Sequence, residues 1–255
     1  MPDLKAVETF PSGGALAERA VALFLEAARD AVQARGRFTV ALTGGSGPVE
    51  AYARLARTPE SVDWAKAFVF LGDERFVPPD DARSNYGQAR RLLLDHVHVP
   101  ADQVFPVPTD AATPAQAAQE YAGTLARVFG SAPAGPPPAF DLILLGMGDD
   151  GHCASLFPHM PSLSVTDRWV VSSPPGTLPP PVDRVTLTFP ALNAARRVVF
   201  LVGGEKKAAA VKDIFAGGAG LERHPAGGVD PPHGTLTWLL DTQAAALLTR
   251  PPAHA

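Results

Sequence analysis

The amino-acid sequence predicts an α/β fold in which helices cover a mostly parallel sheet. Segments with helical apolar spacing alternate along the chain with short strand-like segments. The strand-like segments are apolar on both faces, as strands are when helices pack on both sides of a parallel sheet. Hydrophobic residues make up 46% of the 255 residues and charged residues 19%, which supports a substantial buried core. We expect a single domain over residues 1–255.

The first half of the chain contains segments with a clear helix or strand pattern. LAERAVALFLEAARDAVQAR has helical spacing and stops at Gly36, since glycine commonly follows the last turn of a helix. FTVAL and AFVFL are short, apolar and suited to buried strands. Ser84 is expected to cap a helix. In chain order, the predicted elements are helix 16–35, strand 38–42, helix 49–57, strand 67–71, helix 84–96 and helix 115–129.

The second half begins with a proline-rich segment, SAPAGPPP at 131–138. It is either a domain linker or a surface loop between a helix and the next strand, and the loop is the commoner case. No internal repeat is visible. The elements expected after this segment are strands 140–146, 184–188 and 197–203, a helix at 205–217, a loop at 226–234 and a final helix at 236–248.

Charge and cysteine content exclude several classes of partner. A net charge of −4 and a pI of about 6.0 provide no basic excess for nucleic acid, so local basic residues must hold any anionic ligand. Cys153 is the single cysteine, which rules out an intrachain disulfide and fits a reducing compartment. The N-terminus has no signal-peptide pattern, and no apolar run reaches about 18 residues. We expect a cytoplasmic protein, with a monomer as the working expectation, that binds neither nucleic acid nor membrane.

Four loops of unusual composition follow predicted strands: TGGSGP, GDER, GMGDDGH and GGEKK. Ligands of open parallel sheets bind where such loops leave the carboxyl ends of the strands. In the first loop, Gly44 and Gly45 let backbone N–H groups approach a ligand, and Ser46 adds a hydroxyl. The helix that follows favours an anion such as phosphate at its N-terminus. The Walker ending GK[ST] is missing, and an ordinary strand–helix turn is the alternative.

Charged residues at three other places are candidates for the wall of a site. The GDER loop places Asp73 and Arg75 after a buried strand, although a solvated turn is the alternative. Arg184 opens the strand RVTLT. Lys206 and Lys207 open a helix, where the helix dipole disfavours cations. A bound anion would explain this lysine pair, and a solvated pair is the alternative.

The segment FDLILLGMGDDGHCASLFP, residues 140–158, allows four interpretations. Its glycines spell G-x-G-x-x-G, but prolines follow too soon for the helix of a dinucleotide site, and no second strand ends in an acid. A metal site lacks further ligands. Cys153 lacks the signature of a nucleophile and is expected to be a small packed residue. The remaining interpretation is a general base, His152, whose tautomer the carboxylate of Asp150 would fix, with a structural histidine as its alternative.

Taken together, these motifs resemble those of the 6-phosphogluconolactonase family. The resemblance rests on the order and spacing, over nearly the whole chain, of TGGSGP, FLGDERFVPPDDARSNYGQARRLLL, FDLILLGMGDDGHCASLFP, RVTLTFPALNAARRVVFLVGGEKKA and LTWLLD. It implies a three-layer αβα sandwich with a Rossmann-like sheet, which that family shares with glucosamine-6-phosphate deaminase and ribose-5-phosphate isomerase. It also implies hydrolysis of 6-phospho-D-glucono-1,5-lactone to 6-phosphogluconate, in the oxidative pentose phosphate pathway, without a cofactor or a metal.

The resemblance also implies roles for individual residues. The general base of the family corresponds to His152. Our own hypothesis adds that Asp150 orients this base and that Arg75 is either an oxyanion donor or a contact to sugar and phosphate. Gly47 departs from the usual TGGSTP of the family, so a hydroxyl contact is lost while the backbone cradle is expected to survive. The implied contacts to phosphate and substrate correspond to Gly44, Gly45, Ser46, Arg75, Arg184 and Lys207, with Lys206 as a one-residue alternative to Lys207. Asp73 of the GDER loop is a further candidate contact to the substrate.

Two other functions compete with the lactonase. Glucosamine-6-phosphate deaminases share the fold, but their D-G-H is followed by I-A-F-N-E-P, whose glutamate helps ring opening. Here CASLFP has no acid between His152 and Pro158. A non-catalytic sugar-phosphate-binding module, as in some transcriptional regulators, would need a DNA-binding domain, for which the chain leaves no room. The sequence therefore favours the lactonase.

Overall fold

Seven parallel strands form the central sheet of the protein. The structure, a computed structural model, describes residues 5–132, 135–217 and 220–248. The strands of this part of the chain are β1 (Lys5–Phe10), β2 (Phe38–Leu42), β3 (Ala67–Leu71), β4 (Asp73–Arg75), β5 (Val104–Phe105), β6 (Leu142–Leu145), β7 (Val170–Ser173), β8 (Arg184–Leu187), β9 (Arg197–Val202) and β10 (Thr235–Asp241). The order across the central sheet is β1-β10-β9-β6-β2-β3-β5, while β4, β8 and β7 form a small antiparallel sheet.

Helices pack on both sides of the central sheet. They are α1 (Gly13–Arg35), α2 (Val49–Arg57), α3 (Asn85–Leu92), α4 (Pro114–Phe129), α5 (Phe189–Asn193) and α6 (Ala208–Phe215). The predicted three-layer αβα sandwich with a mostly parallel sheet is therefore confirmed. Within the described ranges, no helix combines the length and the apolar character that crossing a membrane requires.

After β1, which lies at one edge, the chain builds the central sheet outward from its middle in two directions. β2, β3 and β5 succeed one another toward one edge, and β6, β9 and β10 succeed one another toward the other edge. The connections that follow β2 and β6 therefore diverge, although the two strands are neighbours. Such a switch point opens a crevice outside the carboxyl ends of the strands, which is where ligands bind in this class of sheet.

Buried aromatic rings make the sheet a rigid support. Phe70 of β3 contacts Phe105 and Phe140 at ring-centroid distances of 4.7 and 5.4 Å. Phe200 of β9 stacks on Trp238 of β10 at 3.9 Å. Burying a side chain of this size contributes about 1.5–3 kcal/mol to folding. The loops at the carboxyl ends of these strands thus start from well-packed positions.

Most of the predicted elements are confirmed. Strands 38–42 and 67–71 and helix 49–57 have the predicted bounds, and α1 and α4 differ from their predictions only at their first residues. Ser84 caps α3, because its hydroxyl accepts the N–H of Gly87 at 2.9 Å. The α-helix ends at Leu92, and a 3-10 turn occupies the end of the predicted range.

The predicted final helix at 236–248 is wrong. Residues 235–241 form β10, which lies between β1 and β9 and pairs with both. TLTWLLD is a short, mostly apolar run, and periodicity alone does not separate a buried strand from a buried helix in so short a run. This run forms a strand because it pairs with a strand on each side, and one of them, β1, lies more than 200 residues earlier in the chain.

Other differences concern short or polar elements. The sequence patterns do not predict β1, β4, β5 or β7, which are edge strands of their sheets or no longer than four residues. The predicted strand at 184–188 exists as β8, but it belongs to the antiparallel sheet. The helix predicted at 205–217 starts as a 3-10 turn and becomes α-helical at Ala208. Two residues of the proline-rich segment, 133 and 134, lie outside the described residues, and the rest joins α4 to β6.

Candidate active site

Four loops at the carboxyl ends of neighbouring strands enclose a cavity of about 170 Å³. The strands β9, β6, β2 and β3 are adjacent in the sheet. The loops that follow them are GGEKK, GMGDDGH, TGGSGP and GDER, respectively. The cavity therefore lies over the switch point between β6 and β2. All four loops that the sequence analysis identified meet there.

The cavity collects nearly all the predicted site residues. Lys207 lies in its wall, whereas the neighbouring Lys206 is exposed and is not part of it. Asp150 does not line the cavity, but it bonds to His152, which does. The predicted residues in the wall are Gly44, Gly45, Ser46, Asp73, Arg75, His152, Arg184 and Lys207.

Two buried tyrosines hold the points where the loops leave the sheet. The hydroxyl of Tyr52, on α2, accepts the N–H of Thr43 at 3.0 Å and donates to the carbonyl of Thr43 at 2.9 Å. Tyr121, on α4, makes the same pair of bonds with Leu71, each at 2.9 Å. Burial raises the pKa of both phenols, so they stay neutral donors. The glycine loop and the GDER loop therefore start from fixed backbone positions.

The glycine loop offers backbone N–H groups to the cavity, but not all of them. Gly45 has a φ of 82°, a conformation that favours glycine. Its N–H donates to the side chain of Gln88 at 2.9 Å and is therefore already engaged. Among the described residues, the N–H groups of Gly44, Ser46 and Gly47 have no acceptor. These three groups are available to an anion.

The acidic side chains of the GDER loop have structural partners. Asp73 is buried, and its carboxylate accepts hydrogen bonds from the Ser155 hydroxyl at 2.6 Å and the Asn85 amide at 3.2 Å. Glu74 accepts the backbone N–H groups of Asn85 and Tyr86, each at 2.7 Å. Burial raises the pKa of Glu74 despite these bonds. A carboxylate at this helix N-terminus is favourable, and it fixes α3 against β4.

Arg75 and Arg184 lie beside each other on the antiparallel sheet. They are directly opposite residues of β4 and β8. Neither forms an ion pair with a carboxylate of the described residues within 4.0 Å. Burial lowers the pKa of Arg184, the charge of Asp73 opposes that effect, and the charge of Arg75 adds to it. Two adjacent guanidinium groups without a paired anion favour a phosphate.

Each of these arginines is oriented by backbone carbonyls. Arg184 donates from Nε to Val182 at 3.1 Å and from Nη2 to Pro180 at 2.9 Å. Arg75 donates from Nη1 to the carbonyl of Arg83 at 2.8 Å. Its Nε is buried, and the described residues offer it no acceptor. The two side chains are thus held in place while donors remain for a ligand.

Lys207 carries a third positive charge into the cavity wall. It is the last residue of the 3-10 turn after β9 and forms an ion pair with Asp149 of the GMGDDGH loop. The side chain of Lys207 is 21% exposed, so both charges are only partly solvated. The pair joins the loop after β9 to the loop after β6. A phosphate in the cavity would compete with Asp149 for the ammonium group.

The clearest chemical feature of the site is the pair of His152 and Asp150. The Oδ1 atom of Asp150 lies 2.6 Å from His152 Nδ1 and also accepts the backbone N–H of His152 at 3.1 Å. Burial raises the pKa of Asp150, but the hydrogen bond and the charge of His152 outweigh it and leave the pKa below its usual range. A carboxylate at Nδ1 keeps the proton on that nitrogen, which leaves Nε2 as the basic atom.

Close packing fixes the orientation of the imidazole. A Cβ atom on Gly148 would lie 2.0 Å from His152 Nδ1 and 2.6 Å from Asp150 Oδ1. Only glycine therefore leaves room for the pair at this point. The ring of Phe157 packs against that of His152 with centroids 4.7 Å apart. Contacts on two sides therefore hold the pair in a fixed orientation.

The structure also bears on the other interpretations of residues 140–158. Cys153 is fully buried, and burial raises the pKa of its thiol, which opposes nucleophilic attack. No helix begins in the turn at 146–151 that spells G-x-G-x-x-G, and a dinucleotide site needs that helix. In the part of the chain that the structure describes, no three His, Cys, Asp or Glu side chains are grouped to hold a metal ion.

The sequence analysis missed several residues that shape the site. Asn85 lines the cavity, is 1% exposed and donates to the backbone carbonyl of Asp73 at 2.9 Å. Gln88 lies one turn further along α3 and contacts Gly45. Tyr52 anchors Thr43 from α2. These side chains act through tertiary contacts with other loops, which the sequence does not reveal. The one local indication was that Asn85 directly follows the N-cap of α3.

Comparisons with known proteins agree on one family. A sequence model described as glucosamine-6-phosphate isomerases/6-phosphogluconolactonase matches residues 11–238. The 6-phosphogluconolactonase of Synechocystis sp. is 46% identical over 229 residues, which cover 90% of this chain and 92% of that protein. The match extends over all four loops of the cavity.

Solved structures show the same fold. The 6-phosphogluconolactonase from Trypanosoma cruzi has a TM-score of 0.85 and 30% identity, and the match covers 96% of this chain and 97% of that one. A monomeric glucosamine-6-phosphate deaminase has a TM-score of 0.79 at 19% identity, over 95% of this chain and 99% of the other. At that identity the second likeness concerns the fold alone.

Proposed function

The chain belongs to the glucosamine-6-phosphate isomerase/6-phosphogluconolactonase family, and we propose that it is a 6-phosphogluconolactonase. It would hydrolyse 6-phospho-D-glucono-1,5-lactone to 6-phosphogluconate. One observation carries the proposal. A single cavity is lined by His152, which Asp150 orients, and by the three basic side chains of Arg75, Arg184 and Lys207. A histidine base suits hydrolysis of a neutral ester, and the basic side chains suit a phosphate elsewhere on the same substrate.

The 6-phosphate would bind among the cationic groups of the wall. Arg184 and Lys207 provide the charge, and the N–H groups of Gly44 and Ser46 provide backbone donors. Charge-assisted hydrogen bonds to a phosphate are stronger than neutral ones. Holding the phosphate brings C1 of the lactone to a defined position relative to His152. Binding energy thereby supplies the orientation that the reaction needs, and the activation barrier for hydrolysis falls.

The chemistry begins with water at the lactone carbonyl. His152 Nε2 takes a proton from this water as the new O–C1 bond forms, and the carbonyl π electrons move to oxygen. Asp150 stabilises the imidazolium that results, because its carboxylate stays hydrogen-bonded to Nδ1. The oxyanion needs donors that are already in place. Arg75 is our candidate, since its buried Nε has no acceptor among the described residues.

Collapse of the tetrahedral intermediate completes the reaction. The C1–oxygen double bond forms again, and the bond from C1 to the ring oxygen breaks. The ring oxygen leaves with that electron pair and takes the proton from His152, which restores the neutral base. The open-chain acid then loses a proton to solvent. No step requires a redox partner or a co-substrate other than water.

The experiment that tests this proposal is a coupled assay. Glucose-6-phosphate dehydrogenase generates the lactone in place, and 6-phosphogluconate formation is followed against a blank without the protein, because the lactone also hydrolyses spontaneously. Wild type is compared with His152→Ala. The matched control is His98→Ala, since His98 is exposed and lies outside the cavity.

Acceleration by wild type and by His98→Ala, with none by His152→Ala, is the expected result. A wild-type rate equal to the blank would refute the lactonase, and ammonia release from glucosamine-6-phosphate would then be measured. Activity in His152→Ala would leave the reaction in place and remove His152 as the base.

A further inference from the structure

The side chain of Gln88, on α3, forms two hydrogen bonds with the glycine loop that follows β2. Its side-chain Oε1 accepts the N–H of Gly45 at 2.9 Å, and its Nε2 donates to the carbonyl of Gly45 at 2.7 Å. The two residues are 43 positions apart in the chain. One amide side chain thus satisfies both polar groups of one residue at the centre of the loop.

The loop has little else to hold Gly45 in place. Gly45 and Ser46 are exposed, and neither brings a large side chain that packs into the core. Gly45 also adopts a positive φ, and glycine is the residue that loses most conformational freedom when it is fixed. Thr43 is anchored by Tyr52 at one end of the loop, and Gly47 lies against Leu201 at the other. The middle depends on Gln88.

The element that carries Gln88 is itself tied to the arginine side of the cavity. The carboxylate of Glu74 accepts the first backbone N–H groups of α3, and the Ser84 hydroxyl both caps this helix and donates to Glu74 at 3.1 Å. Glu74 is followed by Arg75 in β4. Through α3, Gln88 therefore sets the distance between the glycine loop and Arg75.

We propose that Gln88 is a positioning residue, which orients the free N–H group of Ser46 toward the phosphate of the substrate by clamping the two peptide groups of Gly45. The N–H group of Gly44 belongs to the preceding peptide, whose carbonyl Tyr52 holds. The inference rests on the phosphate site of the proposed function. Both hydrogen bonds of the Gln88 side chain go to Gly45 and neither involves His152 or Asp150, so Gln88 acts on phosphate binding and not on proton transfer.

The test compares Gln88→Met and Gln88→Glu with wild type. Methionine keeps the length of the side chain and loses both hydrogen bonds. Glutamate keeps the acceptor for the Gly45 N–H, loses the donor and adds a negative charge near the phosphate. Gln119→Met is the matched control, because Gln119 is exposed on α4 and outside the cavity.

The expected result is a KM for the phosphorylated lactone about tenfold higher in Gln88→Met, from the loss of two net hydrogen bonds, and higher still in Gln88→Glu. The kcat stays within about twofold of wild type, since the base is untouched. With unphosphorylated glucono-1,5-lactone, kcat/KM is the same in wild type and Gln88→Met. If Gln88 only supported the fold, its replacement would lower kcat/KM for both substrates together.

A measurement that does not depend on turnover separates this inference from the proposed function. Inorganic phosphate is titrated into wild type and Gln88→Met, and the NMR shifts of the Gly44 and Ser46 amides are followed. Weaker phosphate binding in the variant supports the clamp even if wild type shows no lactonase activity. Equal binding by the two proteins, or no shift of these amides in wild type, overturns it.

Discussion

Replacing Asp150 by asparagine tests how much the carboxylate contributes to the base. The substitution keeps the size of the side chain and a hydrogen-bond acceptor, but it removes the negative charge beside His152. In the proposed reaction, His152 becomes positively charged when it takes a proton from water. We therefore expect Asp150→Asn to lower kcat much more than it changes KM.

The size of the effect follows from the geometry of the pair. Asp150 Oδ1 and His152 Nδ1 are 2.6 Å apart, and a hydrogen bond to a charged group contributes about 1.5–3 kcal/mol. Two unit charges about 4 Å apart near a protein surface interact by about 4 kcal/mol. A loss between these bounds corresponds to a kcat roughly tenfold to one-thousandfold lower.

The assay is the coupled lactone assay, run beside Asp95→Asn as a control for the substitution itself. Asp95 pairs with Arg90 at the end of α3, and its side chain is 46% exposed, so its replacement should leave kcat unchanged. A fall in kcat of less than about fivefold in Asp150→Asn would refute the argument that this carboxylate stabilises the imidazolium.

Stability at low pH provides a second readout of the same pair. The pKa of Asp150 is lowered in the folded protein, because the bond and charge of His152 outweigh the effect of burial. An acid with a lowered folded pKa stabilises the native state fully above its unfolded pKa of about 3.9. That contribution disappears as the pH falls through the lower folded value. The difference in Tm between wild type and Asp150→Asn should therefore shrink between pH 6 and pH 3, and a constant difference would contradict the assignment.

Three further predictions concern the walls of the cavity. Arg184→Leu should raise the KM for the phosphorylated lactone by about 10- to 150-fold, from the loss of a charged hydrogen bond, with no such rise for glucono-1,5-lactone; equal rises for both would place Arg184 away from the phosphate. Gly148→Ala should lower kcat at least about tenfold, because its Cβ would lie 2.0 Å from His152 Nδ1 and displace the base; an unchanged kcat would show that the pair tolerates the shift. Tyr52→Phe should reduce the free energy of unfolding in urea by about 1–3 kcal/mol, since it leaves the buried N–H and C=O of Thr43 unpaired; a loss under about 0.5 kcal/mol would mean that water replaces the hydroxyl.

The pattern of apolar residues within each segment was sufficient to predict much of the fold. The segments 38–42, 49–57 and 67–71 have the bounds that their apolar residues predict, because the two strands are continuous apolar runs that are buried almost throughout and the helix buries one periodic face. The run at 236–241 is different. Its apolar residues fit either state, and only pairing with β9 and with β1 at the other end of the chain makes it a strand. Long-range pairing of this kind leaves no periodic signal within the segment.

The candidate site divides in the same way. Chemistry carried by neighbouring residues was readable from the sequence: Asp150 beside His152 in one turn, and a glycine loop after a buried strand. The tertiary structure alone sets Arg75 opposite Arg184, because those two residues meet through antiparallel pairing of strands more than 100 positions apart. It alone joins Gln88 to Gly45. Sequence determines which groups are available within a loop, whereas the order of strands at the switch point determines which loops share a cavity, and that order depends on packing of the whole sheet.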